Sequence, residues 1–411
     1  MMHQDVLELD RNDPLAEKRL EFALPDNVIY LDGNSLGAMP KVAVERSVNL
    51  MQEQWGKDLV GSWNTHQWID LPTKVGENIA PLLGAAPGQV ICCDSTSVNL
   101  FKLLCSALAM QKNRQIVLSQ KDNFPADLYM VQGLSQLGPG KLCELKNCED
   151  TGIEAQLDET VAVLLLTHVN YRSGKLHDIQ RLTELAHQKG ILVIWDLAHS
   201  TGALPLELDK WGVDFAVGCG YKYLNGGPGA PAFVYVAKRH QHATRQPLSG
   251  WMGHATPFSF NENYQAADGV KKFLCGTPPI LSMSILDAAL SVFDDVDMHE
   301  LRTKSVNLTE LFLQLVEHDE NLGNLVPISP TVPGHRGSHL AFTHPKAFSI
   351  CQGLIGQGVI AVFRARDVLR VGFAALYLRY RDIRDAVCIL TEIMVSKTYL
   401  EEKYSKVNKV T

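Results

Sequence analysis

The chain opens with short polar stretches and then settles into a repeating alternation of apolar runs and amphipathic segments. Residues 11 to 22 read as a polar helix, and Val28-Ile29-Tyr30-Leu31 as a short strand that stops at the turn signal Asp32-Gly33-Asn34. Residues 40 to 57 have helical spacing, with Pro40 suited to a first turn, and a second helix is predicted over 70 to 84, ended by Gly84. Uninterrupted apolar strands are predicted at Gln89 to Cys93, Gln115 to Leu118, Val161 to Leu166, Ile191 to Trp195, Val213 to Gly218 and Ala232 to Val236. Helical segments separate them: one follows Asp94-Ser95-Thr96-Ser97 through Met110, another runs from Asp178 to Lys189 and closes at Gly190.

Continuous apolar strands alternating with helices indicate a parallel-rich sheet covered on both faces, an α/β architecture. After Pro278-Pro279 the spacing turns helical through Phe293, and residues 300 to 317 and Asp382 to Glu401 are further helices. His339 to Thr343 and Val359 to Arg364 read as strands, and the tail from Glu402 as solvated. The expected organisation is a large α/β domain over 60–280 and a smaller α+β domain built from 1–59 and 281–411, linked by the helix after Pro279.

Composition narrows the function classes. The chain has 411 residues, 46% hydrophobic and 20% charged, with formal net charge −7, so no basic excess points to nucleic acid or an anionic membrane. No stretch of 18 or so residues is apolar throughout, and the acidic start MMHQDVLELDRNDP lacks the features of a signal peptide. Nine cysteines without a CxxC pair read as reduced thiols, many of them in apolar runs, and the cytoplasm is the expected compartment. Asp196-x-x-His199 has no further ligands at suitable spacing, so no metal is expected.

In open α/β sheets, ligands bind beyond the carboxyl ends of the strands. One predicted strand ends at Asp196, followed by His199; the next ends in Gly220-Tyr221-Lys222 before the glycine-rich Asn225-Gly226-Gly227-Pro228-Gly229. A lysine and an acid on successive strand ends are what pyridoxal 5'-phosphate (PLP) chemistry requires. The lysine links covalently to the cofactor aldehyde, and the acid keeps the ring nitrogen protonated, which makes the ring an electron sink. Taken alone, Asp196 would be a helix cap and Lys222 a solvated surface residue. The phosphate needs backbone donors and hydroxyls at a helix start, which Asp94-Ser95-Thr96-Ser97 supplies. Phe124, in Asn123-Phe124-Pro125-Ala126-Asp127, is a candidate to stack on the ring.

In order along the chain come Leu31-Asp32-Gly33-Asn34-Ser35-Leu36-Gly37, Ser95 to Leu100, Asn123 to Asp127, Asp196 to Ser200, Gly220 to Asn225 and Leu248-Ser249-Gly250-Trp251. With these motifs the chain resembles kynureninase from about Tyr30 to Tyr377. The resemblance implies a fold-type-I PLP-dependent transferase fold and a homodimer with shared active sites. The reaction implied is hydrolytic cleavage of L-kynurenine to anthranilate and L-alanine in tryptophan catabolism, a pathway tied to NAD biosynthesis. Residue by residue, it implies Lys222 as the cofactor lysine and Asp196 as the partner of the ring nitrogen. His199 is a polar support, and Phe124, Asp127 and Thr167 belong to the cofactor shell. Thr96, Ser97 and Tyr221 are phosphate contacts, with Trp251 and Thr277 reaching the phosphate across the dimer interface. Tyr221 is also implied in proton transfer. Arg370 grips the substrate α-carboxylate by a bidentate fork, with Asn34 and Ser35 in the substrate site. Trp63 and Thr277 stand at the aryl end, where an apolar pocket favours L-kynurenine over 3-hydroxykynurenine.

Rival readings are weaker. A cysteine desulfurase needs a nucleophilic cysteine on a mobile loop, and none lies between residues 276 and 350. A nicotinamide dehydrogenase lacks the third glycine of its fingerprint after Gly218-Cys219-Gly220. A non-catalytic PLP-binding homologue is disfavoured by the joint presence of lysine, acid and arginine.

Overall fold

The computed structural model describes residues 3–111, 113–137 and 141–406. Its strands are β1 (Ile29–Tyr30), β2 (Val90–Cys92), β3 (Ile116–Gln120), β4 (Glu144–Cys148), β5 (Val161–Thr167), β6 (Leu192–Asp196), β7 (Phe215–Cys219), β8 (Ala232–Val236), β9 (Val326–Pro327), β10 (His339–Thr343), β11 (Val359–Ile360), β12 (Val362–Arg364) and β13 (Val368–Gly372). Seven of them form one sheet in the order β2-β8-β7-β6-β5-β3-β4. Strands β4, β3, β5, β6 and β7 run parallel to one another, and β8 lies antiparallel to both β7 and β2.

The apolar strands behave as their composition requires. Every residue of β5, β7 and β8 is buried. Successive side chains of β5 alternate between two cores: Leu164 and Leu166 face one, Val163 and Leu165 the other. Because β2 is antiparallel to β8 and β8 to β7, the carboxyl ends of β2, β3, β5, β6 and β7 all open on the same edge. That edge carries the site.

Near its amino ends the sheet is pinned by Asp214. Its carboxylate accepts from Val193 N at 2.8 Å and Arg239 Nη2 at 2.6 Å, and pairs with His187 at 2.8 Å and His240 at 2.7 Å. Burial alone would raise this carboxyl, but the hydrogen bonds from His187 and His240 outweigh it and hold it well below the usual range. A depressed carboxyl contributes stability above its unfolded pKa of about 4 and loses it as pH falls toward the folded value. Asp214→Asn is expected to cost about 3 kcal/mol at pH 7, with the gap from wild type closing below about pH 4. Urea melts at several pH values check both.

A second, four-stranded sheet runs β12-β13-β10-β9, all antiparallel, and β1 pairs parallel with β11 in a two-stranded ribbon. Two expectations need correction. The polar helix placed over 11 to 22 is instead a helix at His3–Arg11 followed by a 3-10 turn at Ala16–Glu21. Pro14 explains the break, since it disfavours helical geometry at the preceding Asp13. The single strand placed over Val359 to Arg364 is two, which switch partners at buried Ala361, β11 joining β1 and β12 joining β13. The predicted helix after Pro279 spans Ile280–Ala289 and continues as a 3-10 turn to Phe293. The expected solvated tail lies partly outside the described residues.

Candidate active site

Each apolar strand delivers a chemical group where its hydrogen-bonded ladder ends. Strand β6 ends on Asp196, buried, whose Oδ1 accepts from Ala198 N at 2.8 Å. Beside it, β5 ends on Thr167, which donates to Asn123 Oδ1 and lies 3.2 Å from Asp127 Oδ2. Strand β7 ends at Cys219, and three residues later Lys222 Nζ stands 3.2 Å from His199 Nε2. The Lys222 amine is 5.8 Å from the centroids of both the Phe124 and Tyr221 rings. On β2, the chain turns through Asp94 in a left-handed conformation and starts the helix Thr96–Met110. Ser95 caps that helix by accepting from Val98 N, and Lys102, fully buried, ties Asp94 to Phe273 O. Sequence reasoning missed Lys102, whose only signal was a lysine in an otherwise apolar helix.

These groups enclose a cavity of about 160 Å³. The helix start at Ser95, Thr96 and Ser97 contributes to its wall, as do the carboxyls of Asp127 and Asp196, with Phe124, Tyr221 and Lys222. Burial raises both carboxyls, and for Asp127 the neighbouring Asp196 adds to the effect. Two buried acids with Lys222 as the nearby cation form a site short of positive charge. The donor set therefore fits a ligand with a phosphate at one end and a protonated heteroaromatic nitrogen at the other.

The stretch from Asp32 to Gly37 packs against the backbone of the lysine segment. Gly37 N donates to Tyr221 O at 2.8 Å, and a side chain at Gly37 would meet Lys222 O at 2.2 Å, so only glycine permits this approach. On β13, Arg370 is 1% exposed and donates to Tyr171 O at 2.6 Å and Ser35 Oγ at 2.7 Å. With the Asn34 amide turned, its oxygen accepts from Arg370 Nε at 3.0 Å. Asp32 lies 4.0 Å away, its carboxyl raised by burial. Burial, then the adjacent Arg364, pulls Arg370 down to about 9, which leaves it a cation at neutral pH. Arg364 reaches the same Ser35 Oγ at 3.2 Å. It was not singled out from the sequence, because only the β12–β13 pairing brings it beside Arg370.

Thr96, Ser97, Phe124, Asp127, Asp196, Tyr221 and Lys222 thus line one cavity. Thr167 and His199 touch its lining through hydrogen bonds, and Asn34, Ser35 and Arg370 form a second cluster. Three expected site residues are not brought to the cavity within this chain. Trp63 packs edge-on against Trp68 at 5.9 Å, Trp251 is 38% exposed and packs against Phe258, and Thr277 is exposed. Among the described residues, no group of three or more histidine, cysteine or acidic side chains could hold a metal ion, and no helix is long and apolar enough to cross a membrane.

Residues 301–390 match the family model described as the kynureninase C-terminal domain. A kynureninase of Burkholderia pseudomallei is 46% identical over 408 residues, 98% of each chain, and one of Pseudomonas fluorescens is 44% identical over 412 residues, 99% of each. Among solved structures, a cysteine desulfurase from Thermococcus onnurineus superposes with TM-score 0.76 at 17% identity, covering 96% of this chain and 99% of its own. A cystine C-S lyase in complex with cysteine persulfide gives 0.77 at 16% identity, covering 89% and 98%. The distant structures establish a shared fold, while the close, full-length relatives separate this chain from desulfurases: it belongs to the kynureninase family.

Proposed function

We propose that this protein is a PLP-dependent kynureninase, hydrolysing L-kynurenine to anthranilate and L-alanine in tryptophan catabolism. The observation that carries the reading is Lys222 at the mouth of a cavity walled by a helix start and by two buried carboxyls short of a cation. PLP, when bound, supplies an electron sink that stabilises negative charge at the substrate α-carbon. Lys222 would anchor it and, as a free amine, would take and return the substrate α-proton. Asp196 would keep the ring nitrogen protonated, Asp127 would share that charge, and Phe124 would cover the ring face. Thr96, Ser97 and the helix amides hold the phosphate. Arg370, set by Asn34 and Ser35, fixes the α-carboxylate. Water adds to the γ-carbonyl and the Cβ–Cγ bond breaks, giving the anthranilate carboxylate and, after protonation, alanine.

Tyr221 stands next to Lys222, and burial raises its phenol, so it stays protonated and able to donate. Tyr221→Phe is expected to lower kcat roughly 10²-fold with little change in KM, as for a proton donor used in the transition state. Steady-state kinetics on L-kynurenine checks this.

The functional unit is a homodimer. A second copy covers the apolar band that exposes Met39, Val44, Val48, Met51, Trp55 and Leu59, next to an apolar cavity of about 620 Å³ bordered by Gly226, Gly227 and Pro228. It also accounts for Trp251 and Thr277, exposed in one chain, as contributors to the neighbour's phosphate site. Sedimentation of the holoenzyme tests the assembly. Nine cysteines without a disulfide suit the cytoplasm. The large domain is taken as 60–280 and the small as 1–59 with 281–411.

With Trp63 and Thr277 at the aryl end, kcat/KM is expected to favour L-kynurenine over 3-hydroxykynurenine by roughly tenfold, the scale an apolar pocket can deliver against an added hydroxyl. Equal efficiencies would remove Trp63 from that role. The overall reading is tested by the absorbance spectrum of purified protein before and after L-kynurenine, with anthranilate measured as product. Protein without cofactor absorbance, or without anthranilate, would refute it.

A further inference from the structure

Behind the lysine lies a histidine that the reaction as described does not use. His339 opens β10 and is fully buried. In the antiparallel pairing His339 faces Gly372 while Ala341 faces Arg370, so His339 shares a sheet face with the carboxylate-binding arginine. His339 makes no side-chain hydrogen bond, its ring being engaged only by the backbone at Asn170, and Nδ1 of His199 has no partner. The two imidazole centroids are 5.4 Å apart and tilted by 55°. His199 uses its other nitrogen, Nε2, on Lys222 Nζ at 3.2 Å. With the Asn170 backbone engaging one nitrogen of His339, its other nitrogen and Nδ1 of His199 are left open on two adjacent rings, one of which touches the catalytic amine.

The geometry points to His339 as a positioning residue for Lys222 that acts through His199. A bridging water accepts from His199 Nδ1–H and donates to the open ring nitrogen of His339, leaving His199 Nε2 as an acceptor toward the Lys222 amine. The spacing of the two rings is within reach of such a bridge. A neutral imidazole offers one donor and one acceptor, so whatever engages Nδ1 decides what Nε2 presents. Both rings stay neutral. Burial first, then Lys222 and the neighbouring ring for His199 and Arg370 for His339, holds each well below the ordinary histidine range, against a smaller upward pull on His339 from the backbone at Asn170. Presented with an acceptor, the freed lysine keeps a fixed orientation while it exchanges the α-proton.

This inference rests on the kynureninase reading, and its test keeps the two apart. Wild-type, His339→Leu and His339→Gln holoenzymes are compared by pH titration of the cofactor absorbance without substrate and by kcat and KM for L-kynurenine. The leucine variant is expected to move the titration midpoint by about one pH unit and lower kcat roughly tenfold, with KM within about twofold, as for residues that orient a reacting group from behind. Glutamine, which retains an acceptor, is expected to restore both. Should the leucine variant not fold, His339→Asn takes its place, its shorter reach predicting the same shift. A leucine variant matching wild type, leucine and glutamine variants equally impaired, or an effect confined to KM would each overturn the role of His339 while leaving the enzyme a kynureninase. A wild-type protein that neither binds PLP nor cleaves kynurenine would overturn both.

Discussion

Replacing Lys222 with alanine is expected to lower kcat for L-kynurenine by about 10⁴-fold or more. Two losses compound: the covalent anchor of the cofactor and the base that exchanges the α-proton, the latter alone worth roughly 10²- to 10⁴-fold. The fold should survive, because Lys222 is only partly buried and its side-chain partner is His199. Anthranilate release in a stopped assay measures the loss. Circular dichroism should overlay that of wild type. A variant retaining more than about a hundredth of the wild-type rate would mean that another group is the base.

Arg370→Lys is the second large effect expected, a fall in kcat/KM of roughly 10²- to 10³-fold, equivalent to about 3 to 4 kcal/mol. The charge is kept but the planar fork is not, and the fork is what the surroundings are built for. Asn34, Ser35 and Tyr171 O fix the guanidinium from several sides, in a site only 1% exposed. A lysine there leaves those acceptors incompletely matched and Asp32 with a weaker counter-charge, so some loss of thermal stability should accompany the kinetic loss. Steady-state kinetics with L-kynurenine, together with a thermal melt, checks both. Near-normal kcat/KM in Arg370→Lys would show that a point charge suffices and that the fork is not used.

What the sequence made legible follows from how strongly burial marks a residue. Strands β5 to β8 are buried along nearly their whole length, so their apolar runs stood out, and reading the residues at their ends led directly to Asp196 and Lys222. Edge strand β4, Glu-Leu-Lys-Asn-Cys, is half-exposed and carries no such run. The break between β11 and β12 was hidden because a change of partner sheet leaves no trace in hydrophobicity. Arg370, Asn34 and Ser35 could be placed only through the family resemblance, since their meeting depends on β13 and the Asp32 turn converging from distant parts of the chain. His339 gave no signal at all: one histidine in an apolar strand reads as ordinary core, and only its place beside His199, whose Nδ1 is unpartnered, distinguishes it.

The central claim is that one particular amine carries the cofactor, and borohydride reduction of the purified holoenzyme followed by peptide mass mapping tests it most directly. The account predicts a reduced pyridoxyl adduct on the peptide containing Lys222 and on no other lysine. An adduct mapped elsewhere, or none in protein that still releases anthranilate, would contradict it.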